Sequence, residues 1–152
     1  MFIAFLLPLL FIPQSDADHA LVVHNEARAA VGVPPLVWSD ELARDAQAYA
    51  DHLAATEAFE HAETEFGENL YWSSGRPEGA AEQASVSWLS EVKDYHHVTR
   101  WHRNFSEVGH YTQMVWHATR EVGMGVAISE SGETYVVARY FPPGNYLNEM
   151  PY

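Results

Sequence analysis

The chain has 152 residues, of which 47% are hydrophobic and 13% aromatic; that is enough for one domain with a packed core, too little for two, and not the composition of a disordered chain. Asp and Glu number 21 against 8 Lys and Arg, and a formal charge of -13 repels phosphate backbones, so no nucleic-acid partner is expected. Cysteine is absent, which excludes disulfides, thiolate catalysis and Cys-ligated zinc and leaves any metal to His, Asp or Glu.

In chain order, residues 2–13 read FIAFLLPLLFIP, without a charge but with two prolines. A membrane-spanning helix needs about 20 apolar residues, so this stretch fits the core of a signal peptide instead, with Ser15 and Ala17 as the small residues of a cleavage site. The expected layout is a leader over 1–17 and a single domain over 18–152, giving a secreted or extracellular protein, periplasmic if bacterial, with no transmembrane helix in the mature chain. The basic start that leaders usually carry is missing, since no Lys or Arg precedes Arg28. A first helix is expected over 18–31, stopped by Gly32 and Pro34-Pro35. Ser39 offers an N-cap to a second, in which Leu42, Ala46, Tyr49, Ala50 and Leu53 recur at spacings of three and four. Asn69 to Trp72 reads as a short strand, and a third helix is expected over 79–95, with Ala81, Ala84, Trp88, Val92 and Tyr95 on one side. The period then changes to two: Val122, Met124, Val126 and Ile128, then Tyr135, Val137, Arg139 and Phe141, predict an antiparallel hairpin turning at Ser131-Gly132. Helices followed by strands give an α+β domain in which helices cover a small antiparallel sheet, and Arg139, on a covered strand, then needs a carboxylate or carbonyl partner.

Several residues could carry chemistry. Glu91 shares or borders the apolar stripe of the third helix, where a carboxylate is costly unless it is partnered or reaches water. His61 lies among Glu57, Glu60, Glu63, Glu65 and Glu68, a negative field that favours an imidazolium or a bound divalent cation. His110 opens the run GHYTQMVW, one helical turn of which could aim it into a cleft. His96, His97 and His102, beside Arg100 and Arg103, read as a solvated, locally cationic loop.

GHYTQMVW at 109–116 and YFPPGNYLNE at 140–149, preceded in order by HNEAR at 24–28 and GENLYW at 67–72, resemble the motifs of the CAP superfamily. That superfamily groups cysteine-rich secretory proteins, antigen 5 and pathogenesis-related 1 proteins, and the lack of cysteine places the resemblance with its cysteine-free branch. The resemblance implies a three-layer α-β-α sandwich whose central cleft holds two His and two Glu, here His61, Glu68, Glu91 and His110. In such a tetrad His61 and His110 would be the ligands of zinc or another divalent metal, with modest affinity because structural zinc sites normally have four protein ligands. Glu68 and Glu91 would be the acid/base groups if any catalysis occurred. A non-enzymatic binding or effector module is the leading expectation, as a monomer or weak dimer. A metal-dependent hydrolase acting on a peptide or ester is the alternative, though no Gly-x-Ser-x-Gly or His-Glu-x-x-His is present. A sterol or lipid binder is the third, using apolar surface at Tyr71-Trp72 and from Trp101 to Phe105.

Overall fold

The computed structural model describes residues 15–152, so the apolar stretch at 2–13 lies outside the described residues. Ser15 caps α1 (Asp16–Ala30): its hydroxyl accepts from the Asp18 backbone N–H, while the Asp18 carboxylate accepts from the Ser15 N–H. The helix therefore starts before the expected residue 18, and Ser15, Asp16 and Ala17, assigned to the leader on sequence, form its first turn. Asp16 does more. Its two carboxylate oxygens accept from the backbone N–H groups of Ala81 and Glu82, both at 2.9 Å, and so cap α3 (Ala80–Leu89), whose own N-cap, Gly79, has no side chain to offer.

Between them, α2 (Asp40–Thr56) begins at Ser39 as its spacing predicts. The third helix is shorter than expected. After Leu89 the chain tightens into a 3-10 turn, Ser90–Asp94, because the Ser90 hydroxyl takes the Ser87 carbonyl at 2.6 Å. A second 3-10 turn, Trp101–Asn104, leads into α4 (Phe105–Met114). The strands are β1 (Val37–Trp38), β2 (Gly67–Ser73), β3 (Glu121–Ile128) and β4 (Thr134–Phe141), in the order β1-β3-β4-β2. The β3–β4 hairpin and the β2–β4 ladder are antiparallel; β1 adds two residues in parallel to β3, a pairing without a sequence signal of its own.

The alternation along β3 and β4 divides the core in two. Val122, Met124, Val136, Ala138 and Tyr140 pack with Ala20, Ala84, Trp88, Tyr111 and Met114 from α1, α3 and α4. Ala127, Tyr135 and Val137 point the other way, onto Ala46, Ala50 and Leu53 of α2. This is the expected α+β, three-layer α-β-α sandwich. Gly123 and Gly125 let α2 lie directly on β3, since a Cβ at either would overlap the backbone at Ala43 or Gln47. The Gln47 side chain then bonds both the N–H and the C=O of Val126. Ile128, on a strand expected to be covered by helices, is exposed; it pairs with Thr134 at the turn end of the hairpin. Trp101, offered on sequence as exposed apolar surface, is buried with Val108 and Trp116, and its indole N–H donates to the Glu149 carbonyl. Phe105 and Trp72 do remain exposed. Among the described residues no helix is long and apolar enough to cross a membrane.

Candidate functional site

The site lies where β2 faces α4. Trp88, near the end of α3, sets one wall: its ring stacks on His110 with centroids 6.0 Å apart and planes at 19°. The 3-10 turn after α3 brings Glu91 to the same place. One oxygen of Glu91 accepts from the backbone N–H groups of His110 and Tyr111, both at 3.0 Å, and the other accepts from His110 Nδ1 at 2.6 Å. The carboxylate whose position on the third helix demanded partners thus has three donors.

Glu68, on β2, is held in the same way from different sources. Its side chain is 5% exposed. Oε1 accepts from His61 Nδ1 at 2.5 Å and from the Ala62 N–H at 3.1 Å, while Oε2 accepts from Arg139 Nη1. Arg139 Nε donates in turn to Asp45 of α2 at 2.6 Å, and its guanidinium lies 5.0 Å from the Tyr49 ring centre. The partner that Arg139 was expected to need is therefore a pair of carboxylates, Glu68 and Asp45. The hydrogen bond to Glu68 holds the pKa of His61 above its ordinary value, against the opposing effects of burial and of the Arg139 charge.

His61, Glu68 and His110 line one cavity of about 150 Å³, together with Asn69, Phe105 and Asn145. Glu91 stands behind His110 and reaches the cavity through that ring. The structure thus brings the four expected residues into two histidine–carboxylate pairs across one cleft. In the neutral imidazoles, each Nδ1–H donated to a carboxylate leaves the lone pair on Nε2, and neither Nε2 has a hydrogen-bond partner among the described residues. Histidines that ligate metals commonly donate their other ring N–H to a carboxylate in this way. Among the described residues no group of three or more His, Asp or Glu side chains is arranged to hold a metal ion, so a cation here would rest on two protein ligands.

Sequence reasoning passed over two residues of the cleft. Asn69 donates to the His110 carbonyl and to the Tyr140 hydroxyl, tying β2 to α4. Asn145, at a positive φ of 60°, accepts from the Thr112 hydroxyl and donates to the Gly109 carbonyl, fixing the segment after β4 against α4. The turn residues Pro142, Pro143 and Gly144 before it are the signal that could have pointed to Asn145. His96, His97 and His102 stay outside this cavity; His97 bonds the Tyr95 hydroxyl and stacks on Tyr152.

Comparison with known proteins agrees with this fold. The model of the family described as CAP, the cysteine-rich secretory protein family, matches residues 21–140. The pathogenesis-related protein PR-1 of Medicago truncatula is 40% identical over 146 residues, covering 93% of this chain and 82% of its own. The human Golgi-associated plant pathogenesis-related protein 1 is 40% identical over 142 residues, covering 87% and 86%. Among solved structures, that of NaASP2 with Zn²⁺ superposes with a TM-score of 0.78 at 28% identity, over 91% of this chain and 86% of that one.

Proposed function

Because the chain belongs to the CAP family of cysteine-rich secretory proteins, we propose that it is an exported, non-enzymatic binding module whose cleft takes a divalent cation such as zinc. The observation that carries this reading is the pair of imidazoles on one cavity, each with Nδ1 committed to a carboxylate and Nε2 left to a ligand. His61 and His110 would hold the ion, leaving its remaining positions to water or to a group of the bound partner. Zinc in the structure of NaASP2 supports the choice of metal for that protein and by analogy for this one. The family's secretory description and the apolar stretch at 2–13 support export, and the Golgi-associated human relative marks the secretory route as the compartment to test.

The hydrolase reading has less behind it. Glu68 and Glu91 each already accept three hydrogen bonds, from a histidine, backbone N–H groups or Arg139, which leaves each about one lone pair for a bound water. Both are placed to orient imidazoles. Capture of an apolar ligand has one observation in its favour, a cavity of about 340 Å³ beside α4 to which Tyr95, Val98, Trp101 and Val108 contribute, although Asp94, Arg100 and Arg103 line it too. Equilibrium dialysis against Zn²⁺ with elemental analysis tests the metal reading. One equivalent retained by the native chain and none by His61→Ala or His110→Ala supports it; equal retention by all three overturns it.

A further inference from the structure

The two carboxylates of the cleft do the same work by unlike means. Glu91 is fixed locally, by two consecutive backbone N–H groups of the helix that carries its histidine, and needs no basic side chain. Glu68 has one backbone N–H, from Ala62, and that donor shares the oxygen already facing His61. Its second oxygen is held by Arg139 alone. Arg139 is itself 3% exposed, and on its other side Asp45 takes its Nε while the Tyr49 ring lies beside the guanidinium. Asp45 and Tyr49 both belong to α2, on the far side of the sheet from α4. His61 is the loosest member, with a side chain 64% exposed on a loop that carries no secondary structure, so Glu68 is what orients its ring.

We propose that Arg139, oriented from α2 by Asp45, is a positioning residue for the cleft: it fixes the Glu68 carboxylate so that His61 presents Nε2 to the cavity. The inference rests on the reading of His61 as a cation ligand, but its own content is the chain Asp45–Arg139–Glu68–His61. A buried carboxylate with one oxygen unheld can rotate, and His61 then loses the acceptor that selects its tautomer. His110 is not wired to this chain and should not respond.

Asp45 is the residue to vary, because its side chain is half exposed and its loss removes no core volume. The Asp45→Ala and Arg139→Lys variants of the full chain should be compared with the native protein in two measurements. The first is ¹⁵N NMR of the histidine rings without metal at pH 8, where the ring shifts report which nitrogen carries the proton. The second is calorimetric titration with Zn²⁺. The expected result is a redistribution of the His61 tautomers with His110 unchanged, and a loss of zinc affinity of about tenfold, the lower end of the range for outer-shell partners. A native-like His61 spectrum in both variants overturns the inference, as does an equal disturbance of His61 and His110. If the native chain binds no zinc, the metal reading fails while the NMR comparison still decides on Arg139. Asp45→Ala carries the test should Arg139→Lys not fold.

Discussion

His24 lies in the core of α1, fully buried. Its Nδ1–H donates to the Ala20 carbonyl and its Nε2 accepts from the Tyr140 hydroxyl, which in turn accepts from Asn69 at the cleft. Burial pushes its pKa down from 6.5 to about 4. The unfolded chain therefore takes up a proton on this group below about pH 6.5 while the folded one does not, and stability falls as pH drops from there toward 4. The loss is about 3 kcal/mol from this histidine alone, at 1.36 kcal/mol per unit. His61 acts in the opposite sense: its pKa is raised, so its contribution is present below about pH 6.5 and disappears as pH rises through the folded value. Urea unfolding at several pH values should show the acid-side loss in the native chain and a shallower one in His24→Gln. Arg28 shows a second kind of buried polar residue. Its guanidinium donates to the carbonyls of Pro34, Met114, Trp116 and Thr119, stitching α1 to the end of α4. Replacing it by Met strands those acceptors, and a loss of about 3 kcal/mol or more is expected in the same assay. The run HNEAR marks both residues by resemblance, but one sequence cannot say that they face the interior, because the apolar period of α1 is weak where they lie.

The elements most legible in the sequence are those where cap, period and turn agree. Ser39 with the spacing of Leu42 to Leu53 specifies α2, and strict alternation around Gly132 specifies the β3–β4 hairpin. The start of α1 carries an equally good local signal, Ser15 followed three residues later by Asp18, but small residues beside an apolar stretch also read as a cleavage site. The consequence for α3 is long-range and could not be read locally: Asp16 supplies the cap that Gly79 lacks. Asp16→Ala should cost about 1 kcal/mol. A chain beginning at Asp18 should be less stable than one beginning at Ser15, by an amount that chemical denaturation of the two will read. The close approach of α2 to β3 sets a steeper limit. Gly125→Ala forces a Cβ into the backbone at Gln47, and a loss of several kcal/mol or failure to fold is expected, whereas Gly75→Ala, with open space around it, should be nearly neutral.

For the molecule as a whole, the acid excess lies mostly outside the cleft, whose lining holds one carboxylate, Glu68. Two of the eight bases are buried: Arg28 against carbonyls, and Arg139 together with the Glu68 carboxylate, which offsets its charge, so nearly all of the acid excess falls on the surface. Sequence made His61 suspect through its acidic neighbours and Glu91 through its helical position. It could not pair His61 with Glu68 and His110 with Glu91, because each pairing is made by the packing of β2, α4 and the turn after α3. The central claim is that these two pairs present their imidazoles to one cation. Calorimetric titration with Zn²⁺ at pH 7.5 and pH 5.5, on the native chain, His110→Ala and His102→Ala, tests it most directly. Zinc binds only neutral imidazole, and the raised pKa of His61 brings protons into competition with the metal, so the affinity should fall about tenfold or more between the two pH values. Binding at pH 7.5 should persist in His102→Ala and vanish in His110→Ala; loss in His102→Ala with retention in His110→Ala would place the metal on the loop before α4 and contradict the account.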